Sequence, residues 1–484
     1  MSEIRNLEPK AVWNNFDMIC SIPHPSKKEA KLVEALIEFA KKNKLEYIID
    51  KIGNVIISKP ATKGMEDKKG IVLQAHIDMV PQKNSDTKHD FETDPIIPWI
   101  DGEWVRAKGT TLGADNGMGV AAILAVLEDN TLTHGPIEAL LTIDEETGMT
   151  GAFGLQAGVL KGDILLNLDS ETEGELYVGC AGGIDGSFAF NYKKETTPVG
   201  LSGFALDIKG LKGGHSGMDI ILGRANANKV LFRFFKALET LGLRISSING
   251  GSLRNAIPRE AFSTIAIPTD KVAEAKKLVE AMGKDIKNEY ALVEPNFEIN
   301  FNPTALEANV IDLDTQKRMI LGVYACPNGV IRMSDSMEGL TETSTNLAIV
   351  KTDDKSINVS CLLRSSVDSA KMDLAEMMSS VFELAGATRK FEGAYPGWKP
   401  NMDSPILKTM QTTYNGLYGK TPKIMAIHAG LECGLLGGVY PNWDMISFGP
   451  TIMSPHSPDE RVEIASVQKF WDYLLATLKN VPAK

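Results

Sequence analysis

The stretch Ile71-Val-Leu-Gln-Ala-His-Ile-Asp-Met-Val80 governs the interpretation of the whole chain. It begins as a continuous apolar run, which is typical of a β-strand buried on both faces. It ends in His76 and Asp78, and residues two apart on a strand point the same way. The Asp78 carboxylate could therefore reach the His76 imidazole and fix which nitrogen carries the proton, as a metal-binding histidine requires. The pattern alone does not establish a metal site, because a surface histidine beside an acidic turn residue produces it too.

Further acidic residues follow other predicted elements in the same way. Glycines surround Asp115 in front of an Ala/Ile/Leu helix, without the G-x-G-x-x-G spacing of a dinucleotide loop. A strand over 137–143 ends in Asp144-Glu-Glu146, three carboxylates that repel one another unless a cation is present. A strand over 163–168 ends in Asp169. Strands that alternate with helices predict an α/β domain whose sites lie beyond the carboxyl ends of the strands.

Composition narrows the class of protein. A chain of 484 residues with 43% hydrophobic and 23% charged residues is typical of a soluble protein of two or more domains. No window approaches the roughly 20 apolar residues of a membrane span. The net charge of -11 argues against nucleic acid or an anionic membrane as a partner.

Cysteine usage and the first residues predict a cytoplasmic protein. The five cysteines form no CxxC pair, so neither a disulfide framework nor a thiolate zinc site is expected. Any metal should therefore be held by His, Asp and Glu. The sequence begins without the apolar segment of a signal peptide.

The pattern changes twice along the chain and predicts a discontinuous domain. From about 183 the strands look half exposed, and around 398 the earlier α/β pattern returns. We expect an α/β fold, a mixed sheet flanked by helices over 1–182 and 398–484, with an inserted α+β domain over 183–397. Near the start, Ser26 and Glu29 have the spacing of a capping box for the second helix.

Two histidines and three carboxylates are the ligands that a pair of zinc-like ions would use. Each ion would take one imidazole and one terminal carboxylate, and the third carboxylate would bridge them. A carboxylate left over beside the ions can act as a general base. The candidates are His76, Asp115, Glu145 with Glu146, Asp169 and His456.

Six ordered motifs make the sequence similar to a known family. They resemble those of the M20 family of di-zinc metallopeptidases, and in detail those of its aminoacyl-histidine dipeptidase branch. The motifs are His76-Ile-Asp78-Met-Val, Gly113-Ala-Asp115-Asn-Gly117, Asp144-Glu-Glu-Thr-Gly148, Asn167-Leu-Asp169-Ser-Glu, Gly214-His215-Ser-Gly217 and Pro455-His456-Ser-Pro-Asp-Glu460.

The resemblance implies a role for each residue of the metal site. It makes Asp115 the bridge, His76 and Asp169 the ligands of one ion, and Glu146 and His456 the ligands of the other. It implies that Glu145 takes a proton from the metal-bound water and delivers it to the leaving amine, and that Asp78 orients His76. It also implies a cis peptide bond between Asp115 and Asn116.

The resemblance suggests substrate contacts as well. His215 would stabilise the oxyanion, with a hinge residue as the alternative. Asn255 and Arg364 would hold the peptide carboxylate, although an arginine paired with a surface acid is an alternative for Arg364. Gly430 and Glu432 would line the amine end of the pocket, and a structural role is the alternative for Glu432.

The function that we expect from these residues is hydrolysis of unblocked dipeptides, with Xaa-His dipeptides such as β-alanyl-histidine as the preferred class. Two Zn²⁺, or other divalent ions such as Co²⁺ or Mn²⁺, are the expected cofactors, and a homodimer through the inserted lid domain is the expected assembly. An N-acyl amino acid deacylase on the same scaffold is the alternative. A non-catalytic metal-binding protein is a second alternative, against which Glu145 argues, since a binding module needs no base beside its ligands.

Overall fold

The computed structural model describes residues 2–484 and divides into two compact units. Unit 1 comprises the residues up to Gly179 together with Pro400–Ala426 and Leu431–Lys484. Unit 2 comprises Cys180–Lys399 and the short segment Ile427–Gly430.

The helices of the described residues range from one turn to about five turns. Four 3₁₀ helices span Glu3–Asn6, Ile220–Leu222, Glu239–Leu241 and Thr269–Lys271. The α-helices are α1 (Lys10–Cys20), α2 (Ala30–Lys42), α3 (Ala114–Glu128), α4 (Glu145–Gly148), α5 (Thr150–Gly154), α6 (Ala227–Leu238), α7 (Val272–Glu289), α8 (Leu313–Ala325), α9 (Asp368–Leu384), α10 (Pro405–Tyr418), α11 (Glu432–Val439) and α12 (Ile464–Asn480). None of these helices is long and apolar enough to cross a membrane.

The strands are shorter and more numerous. In chain order they are β1 (Glu46–Ile49), β2 (Val55–Lys59), β3 (Ile71–His76), β4 (Pro98–Asp101), β5 (Trp104–Ala107), β6 (Ile137–Thr142), β7 (Ile164–Asn167), β8 (Glu175–Cys180), β9 (Gly182–Asn191), β10 (Lys194–Thr196), β11 (Leu201–Lys209), β12 (Gly214–His215), β13 (Arg244–Gly250), β14 (Ala256–Ile257), β15 (Ala261–Pro268), β16 (Glu298–Pro303), β17 (Asn309–Ile311), β18 (Gly329–Met333), β19 (Thr341–Thr352), β20 (Ser356–Ser365), β21 (Thr388–Tyr395), β22 (Lys423–Ile427), β23 (Asp444–Ser447), β24 (Ile452–Met453) and β25 (Arg461–Glu463).

Unit 1 is built on a mixed sheet in the order β1-β2-β6-β3-β7-β23-β8-β22. Its central strands β6, β3, β7 and β23 are parallel, and β3 is buried along its whole length. Helix α3 is apolar on every side and packs against β3 and α1, as expected for a helix inside a core. It begins after Gly113, whose φ of 73° lies in the left-handed region that favours glycine.

The register of the parallel strands brings three chain segments to one edge of the sheet. His76 at the end of β3 lies opposite Thr142 at the end of β6. Gln74 lies opposite Asn167 at the end of β7. The loops that follow these strands therefore leave the sheet side by side, which is where sites form in α/β folds.

Unit 2 contains a nine-stranded antiparallel sheet with the main order β16-β11-β15-β13-β19-β20-β9-β21, and β18 also pairs with β19. Its core includes apolar side chains of α6, α8 and α9 packed against strands of this sheet. Phe188 of β9 stacks on Phe382 of α9 with ring centroids 4.0 Å apart. The expected α/β fold class, with an α+β second unit, is confirmed.

The predicted capping box at α2 is wrong. Helix α2 begins after Glu29 without a side-chain cap. Glu29 Oε1 instead accepts the backbone N–H groups of Lys27 at 2.8 Å and Asp144 at 3.1 Å, and Ser26 Oγ donates to the Met79 carbonyl. Both side chains thus bond to groups other than those that a capping box requires.

Candidate metal centre

Two groups of potential metal ligands in unit 1 share one aspartate. The first group is His76, Asp115 and Asp169, and the second is Asp115, Glu146 and His456, with the ligand atoms of each group within 4.8 Å of one another. His76 Nε2 lies 3.2 Å from Asp115 Oδ1, whereas His456 Nε2 lies 3.2 Å from Asp115 Oδ2. Each oxygen of the Asp115 carboxylate therefore faces a different imidazole, which is the arrangement of a bridging ligand.

The terminal carboxylates complete the two groups. Asp169 Oδ1 is 3.3 Å from His76 Nε2, and Glu146 Oε2 is 3.0 Å from His456 Nε2. Glu146 Oε1 is buried and has no hydrogen-bond partner in the described part of the chain. Imidazole and carboxylate donors with an unpaired buried oxygen fit zinc or a similar divalent cation.

The electrostatics of these ligands are those of a site that needs cations. Although burial opposes it, the carboxylates of Asp169 and Asp115 raise the pKa of His76 well above its ordinary value. Hydrogen bonds to Asp115 and Glu146 raise the pKa of His456 to about 11. Burial raises the pKa of Asp169 to about 6, and the charges of Asp115 and Glu146 add to this effect. The carboxylates thus favour a positive charge on both imidazoles, and divalent cations could supply that charge instead.

Asp78 links His76 to the residues after β6. His76 Nδ1 lies 3.0 Å from the Asp78 carbonyl oxygen and 3.4 Å from its carboxylate Oδ1, so either oxygen keeps the proton on Nδ1 and leaves Nε2 free for a metal. The carboxylate accepts the backbone N–H groups of Glu145 at 2.9 Å and Glu146 at 3.3 Å. Despite burial, the interaction with His76 lowers the pKa of Asp78 to about 2.

Glu145 and Glu146 are neighbours in sequence, but their side chains have different surroundings. They open α4 after Asp144, whose φ of 50° marks a tight turn at the end of β6. Glu146 faces His456, whereas the Glu145 side chain forms no hydrogen bond with any described residue. Burial raises the pKa of Glu145 well above its ordinary value, and the charges of Asp169 and Glu432 add to this. A carboxylate in that state is suited to receive a proton.

Glu460 fixes the segment that carries Asp115, and the sequence did not reveal this role. Its buried carboxylate accepts four consecutive backbone N–H groups, with oxygen–nitrogen distances between 2.7 and 3.2 Å, from Leu112, Gly113, Ala114 and Asp115. The peptide bond between Asp115 and Asn116 is cis, as expected, and Asn116 Nδ2 donates to Asp169. The loop of one ligand is thus tied to the loops of the others.

A second layer of polar side chains, from three strands of the sheet and from α11, lies just before the ligands. We call Gln74, Thr142, Asn167 and Glu432 the polar row. Gln74 Nε2 donates to Glu432 Oε2 at 2.6 Å, Thr142 Oγ1 donates to the same oxygen at 2.8 Å, and Asn167 Nδ2 donates to Gln74 Oε1 at 2.5 Å. Gln74 and Asn167 stand two residues before the ligands His76 and Asp169. Glu432 is 1% exposed, so this geometry favours its structural alternative over contact with a substrate amine.

Glu171 is a further acid that the sequence analysis quoted only as part of a motif. It follows Asp169 by two residues and is partly exposed. Burial raises its pKa to about 8, and the charges of Asp115 and Asp169 add to this effect. The site therefore includes a carboxylate that is neither a ligand nor part of the polar row.

The expected substrate residues His215, Asn255, Arg364 and Gly430 belong to unit 2. Arg364 Nη1 donates to the Tyr395 hydroxyl at 3.0 Å, and its buried Nε has no partner in the described residues. The Asn255 carbonyl accepts from Ser216 N at 2.8 Å. Burial and the charge of Arg364 lower the pKa of His215. Gly430 ends the segment Ile427–Gly430.

His428 is a neighbour of these residues to which the sequence motifs gave no role. Its Nε2 lies 2.7 Å from Ser344 Oγ. Burial lowers its pKa to about 3, and the charges of Arg364 and His215 act in the same direction. A neutral histidine thus stands beside an arginine that keeps one donor free, which suits the binding of an anion within unit 2.

A model of a known protein family matches most of the chain. The model described as Peptidase family M20/M25/M40 matches residues 72–480. The chain belongs to this family. The predicted resemblance is therefore confirmed, and the two ligand groups lie at motifs on which it rested.

Two relatives that are more than half identical to this protein match its whole length. The Cytosol non-specific dipeptidase of Escherichia coli (strain K12) is 51% identical over 485 residues, covering 100% of both chains. The crystal structure of aminoacylhistidine dipeptidase from Vibrio alginolyticus is 55% identical with a TM-score of 0.96, covering 100% of this chain and 99% of that one. A tripeptidase from Staphylococcus aureus shares the fold at 16% identity and a TM-score of 0.57, covering 98% of both chains.

Proposed function

We propose that this protein is a metal-dependent dipeptidase that hydrolyses unblocked dipeptides at the centre formed by His76, Asp115, Asp169, Glu146 and His456. The observation that carries the proposal is the Asp115 carboxylate, whose two oxygens face two different imidazoles. The names of the Escherichia coli and Vibrio alginolyticus relatives, both dipeptidases, support the substrate class. We extend this to a preference for Xaa-His dipeptides, on the name of the second relative.

We assign one Zn²⁺ to each ligand group. His76 and Asp169 would hold the first ion, Glu146 and His456 would hold the second, and the Asp115 carboxylate would serve both. When bound, two such ions would polarise the peptide carbonyl and make a water molecule a better nucleophile at neutral pH. Asp78 keeps the His76 proton on Nδ1, so that Nε2 presents its lone pair to the metal.

Glu145 serves as the general base and later as the general acid. Its carboxylate accepts a proton from the attacking water and delivers it to the nitrogen of the leaving amine. The support for this role is its lack of any hydrogen-bond partner among the described residues and a pKa that burial raises. Asp78 accepts the backbone N–H of Glu145 and thereby fixes the backbone position from which the Glu145 side chain extends.

Unit 2 supplies the substrate-binding residues in this proposal. Arg364 and Asn255 hold the carboxylate of the dipeptide, His215 stabilises the oxyanion, and Gly430 lines the amine end of the pocket. The free Nε of Arg364 supports its role. We further propose that unit 2 acts as a lid and forms a homodimer, and that the protein is cytoplasmic, as the name of the Escherichia coli relative says of that protein.

A panel of substrates tests the proposed reaction. The zinc-loaded protein should hydrolyse unblocked dipeptides, β-alanyl-histidine among them, faster than N-acetyl amino acids. Release of free amino acids is measured at equal substrate concentration for both sets. Activity on the acetylated compounds alone would assign the protein to the N-acyl amino acid deacylases instead.

A further inference from the structure

An unblocked dipeptide carries a cation that the residues assigned so far do not bind. Its ammonium group is attached to the carbon beside the scissile carbonyl, so it lies close to the metal ligands during hydrolysis. A charged group that leaves water without a partner is costly. A carboxylate that is neither a ligand nor the general base would offset this cost.

Three carboxylates near the ligands are already occupied by the protein itself. Asp78 accepts two backbone N–H groups after β6. Glu432 is buried and accepts Gln74 and Thr142 through one oxygen. Glu460 accepts four backbone N–H groups with its two oxygens. None of these three can turn toward a substrate without leaving buried donors unpaired.

Glu171 differs from them in both position and partners. It follows the ligand Asp169 by two residues, and its carbonyl oxygen accepts Ile452 N at 3.0 Å. Ile452 begins β24, the strand that leads into the loop of His456. The Glu171 backbone is thus held between the segments that carry a ligand of each group.

The Glu171 side chain is free to bind a ligand. It is partly exposed, and across residues 2–484 its carboxylate has no hydrogen bond or ion pair. A carboxylate without a partner in the protein can form charge-assisted hydrogen bonds with an ammonium group.

We propose that Glu171 binds the free ammonium group of the substrate and thereby makes the site specific for unblocked dipeptides. This inference rests on the proposed function. It gives the amine end of the dipeptide an acidic partner in place of Glu432, whose carboxyl group is buried in the polar row.

The test compares two substrates that differ only in the amine, alanyl-histidine and propionyl-histidine. Glu171→Gln keeps the size of the side chain and removes its charge. We expect kcat/KM for alanyl-histidine to fall about 10- to 100-fold, mainly through KM, and that for propionyl-histidine to change less than about 3-fold. Where propionyl-histidine is cleaved too slowly, its inhibition constant replaces the rate. The zinc content of the variant should equal that of the wild type.

Glu103→Gln is the matched control, since Glu103 is an exposed acid in the turn between β4 and β5. It should leave both substrates unaffected. An equal loss on both substrates in Glu171→Gln, or no loss on either, overturns the inference while the dipeptidase assignment stands. A wild-type protein that cleaves neither substrate refutes the proposed function, and the role of Glu171 falls with it.

Discussion

Glu145 and Glu146 show how adjacent residues of one type take different roles. Asp78 accepts the backbone N–H of both, which fixes the start of α4. From that start the Glu146 side chain reaches His456, whereas the Glu145 side chain has no hydrogen bond or ion pair in the described chain. The different surroundings of the two side chains therefore come from the turn at Asp144, because the side chains themselves are identical.

Glu145→Gln should abolish turnover without emptying the site. The amide cannot accept a proton, and loss of a general base typically costs about 10²- to 10⁴-fold in rate. Zinc content should stay at the wild-type level, because the ligands are untouched. Steady-state kinetics with metal analysis of the same sample checks both. Persistent turnover would show that another group is the base.

Glu460→Gln should destabilise the Asp115 loop. A glutamine has only one accepting oxygen, so its NH₂ group would face two of the four N–H donors that the carboxylate now accepts. We expect the free energy of unfolding to fall by about 2–4 kcal/mol, measured by urea denaturation. Glu463→Gln, a half-exposed acid in β25, is the control and should change it by less than about 0.5 kcal/mol. Equal effects of the two substitutions would contradict the anchoring role.

At the scale of elements, the polar row joins three strands and one helix just before the ligands. Glu432 of α11 accepts from Gln74 of β3 and Thr142 of β6, and Asn167 of β7 donates to Gln74. Because the side chains are buried, each donor left without a partner costs about 1–3 kcal/mol. The row therefore fixes the positions, relative to one another, of the strands that precede the ligands.

Substitution of Glu432 separates this role from substrate binding. In Glu432→Gln the amide oxygen can still accept both donors, so stability and KM should stay near the wild-type values. In Glu432→Ala both donors lose their partner, and the free energy of unfolding should fall by about 2–4 kcal/mol. Urea denaturation and Michaelis constants for alanyl-histidine provide the readouts. A large rise of KM in Glu432→Gln would instead indicate that the charge meets the substrate amine.

The ligands could be predicted from sequence because each stands in a local pattern. His76, Asp115 and Asp169 follow apolar strands or precede an apolar helix, and the motifs around them are continuous. The Glu460 anchor joins residues that lie almost 350 positions apart, and no local pattern encodes that bond. The polar row left a weaker signal, since Gln74 and Asn167 are polar residues inside apolar strands. At Glu29 the local pattern led to the wrong structure, because its carboxylate accepts the backbone N–H groups of Lys27 and of Asp144, which lies in a distant loop.

At the scale of the whole molecule, metal binding should be coupled to proton release. In the metal-free protein His456 has a pKa of about 11, and the pKa of His76 is raised well above its ordinary value. The ions would displace protons from these imidazoles, so metal binding should release protons. Zinc affinity should accordingly fall as the pH falls. Titration calorimetry in two buffers with different ionisation enthalpies measures the number of protons released, and the absence of release would contradict these protonation states.

The most direct test of the central claim is a zinc titration of the chelated protein followed by hydrolysis of alanyl-histidine. A centre in which Asp115 bridges two ions predicts no turnover after chelation and full recovery at about two equivalents of zinc per chain. Metal analysis of the same samples should give the same stoichiometry. Full turnover in protein shown to hold no metal would contradict the account.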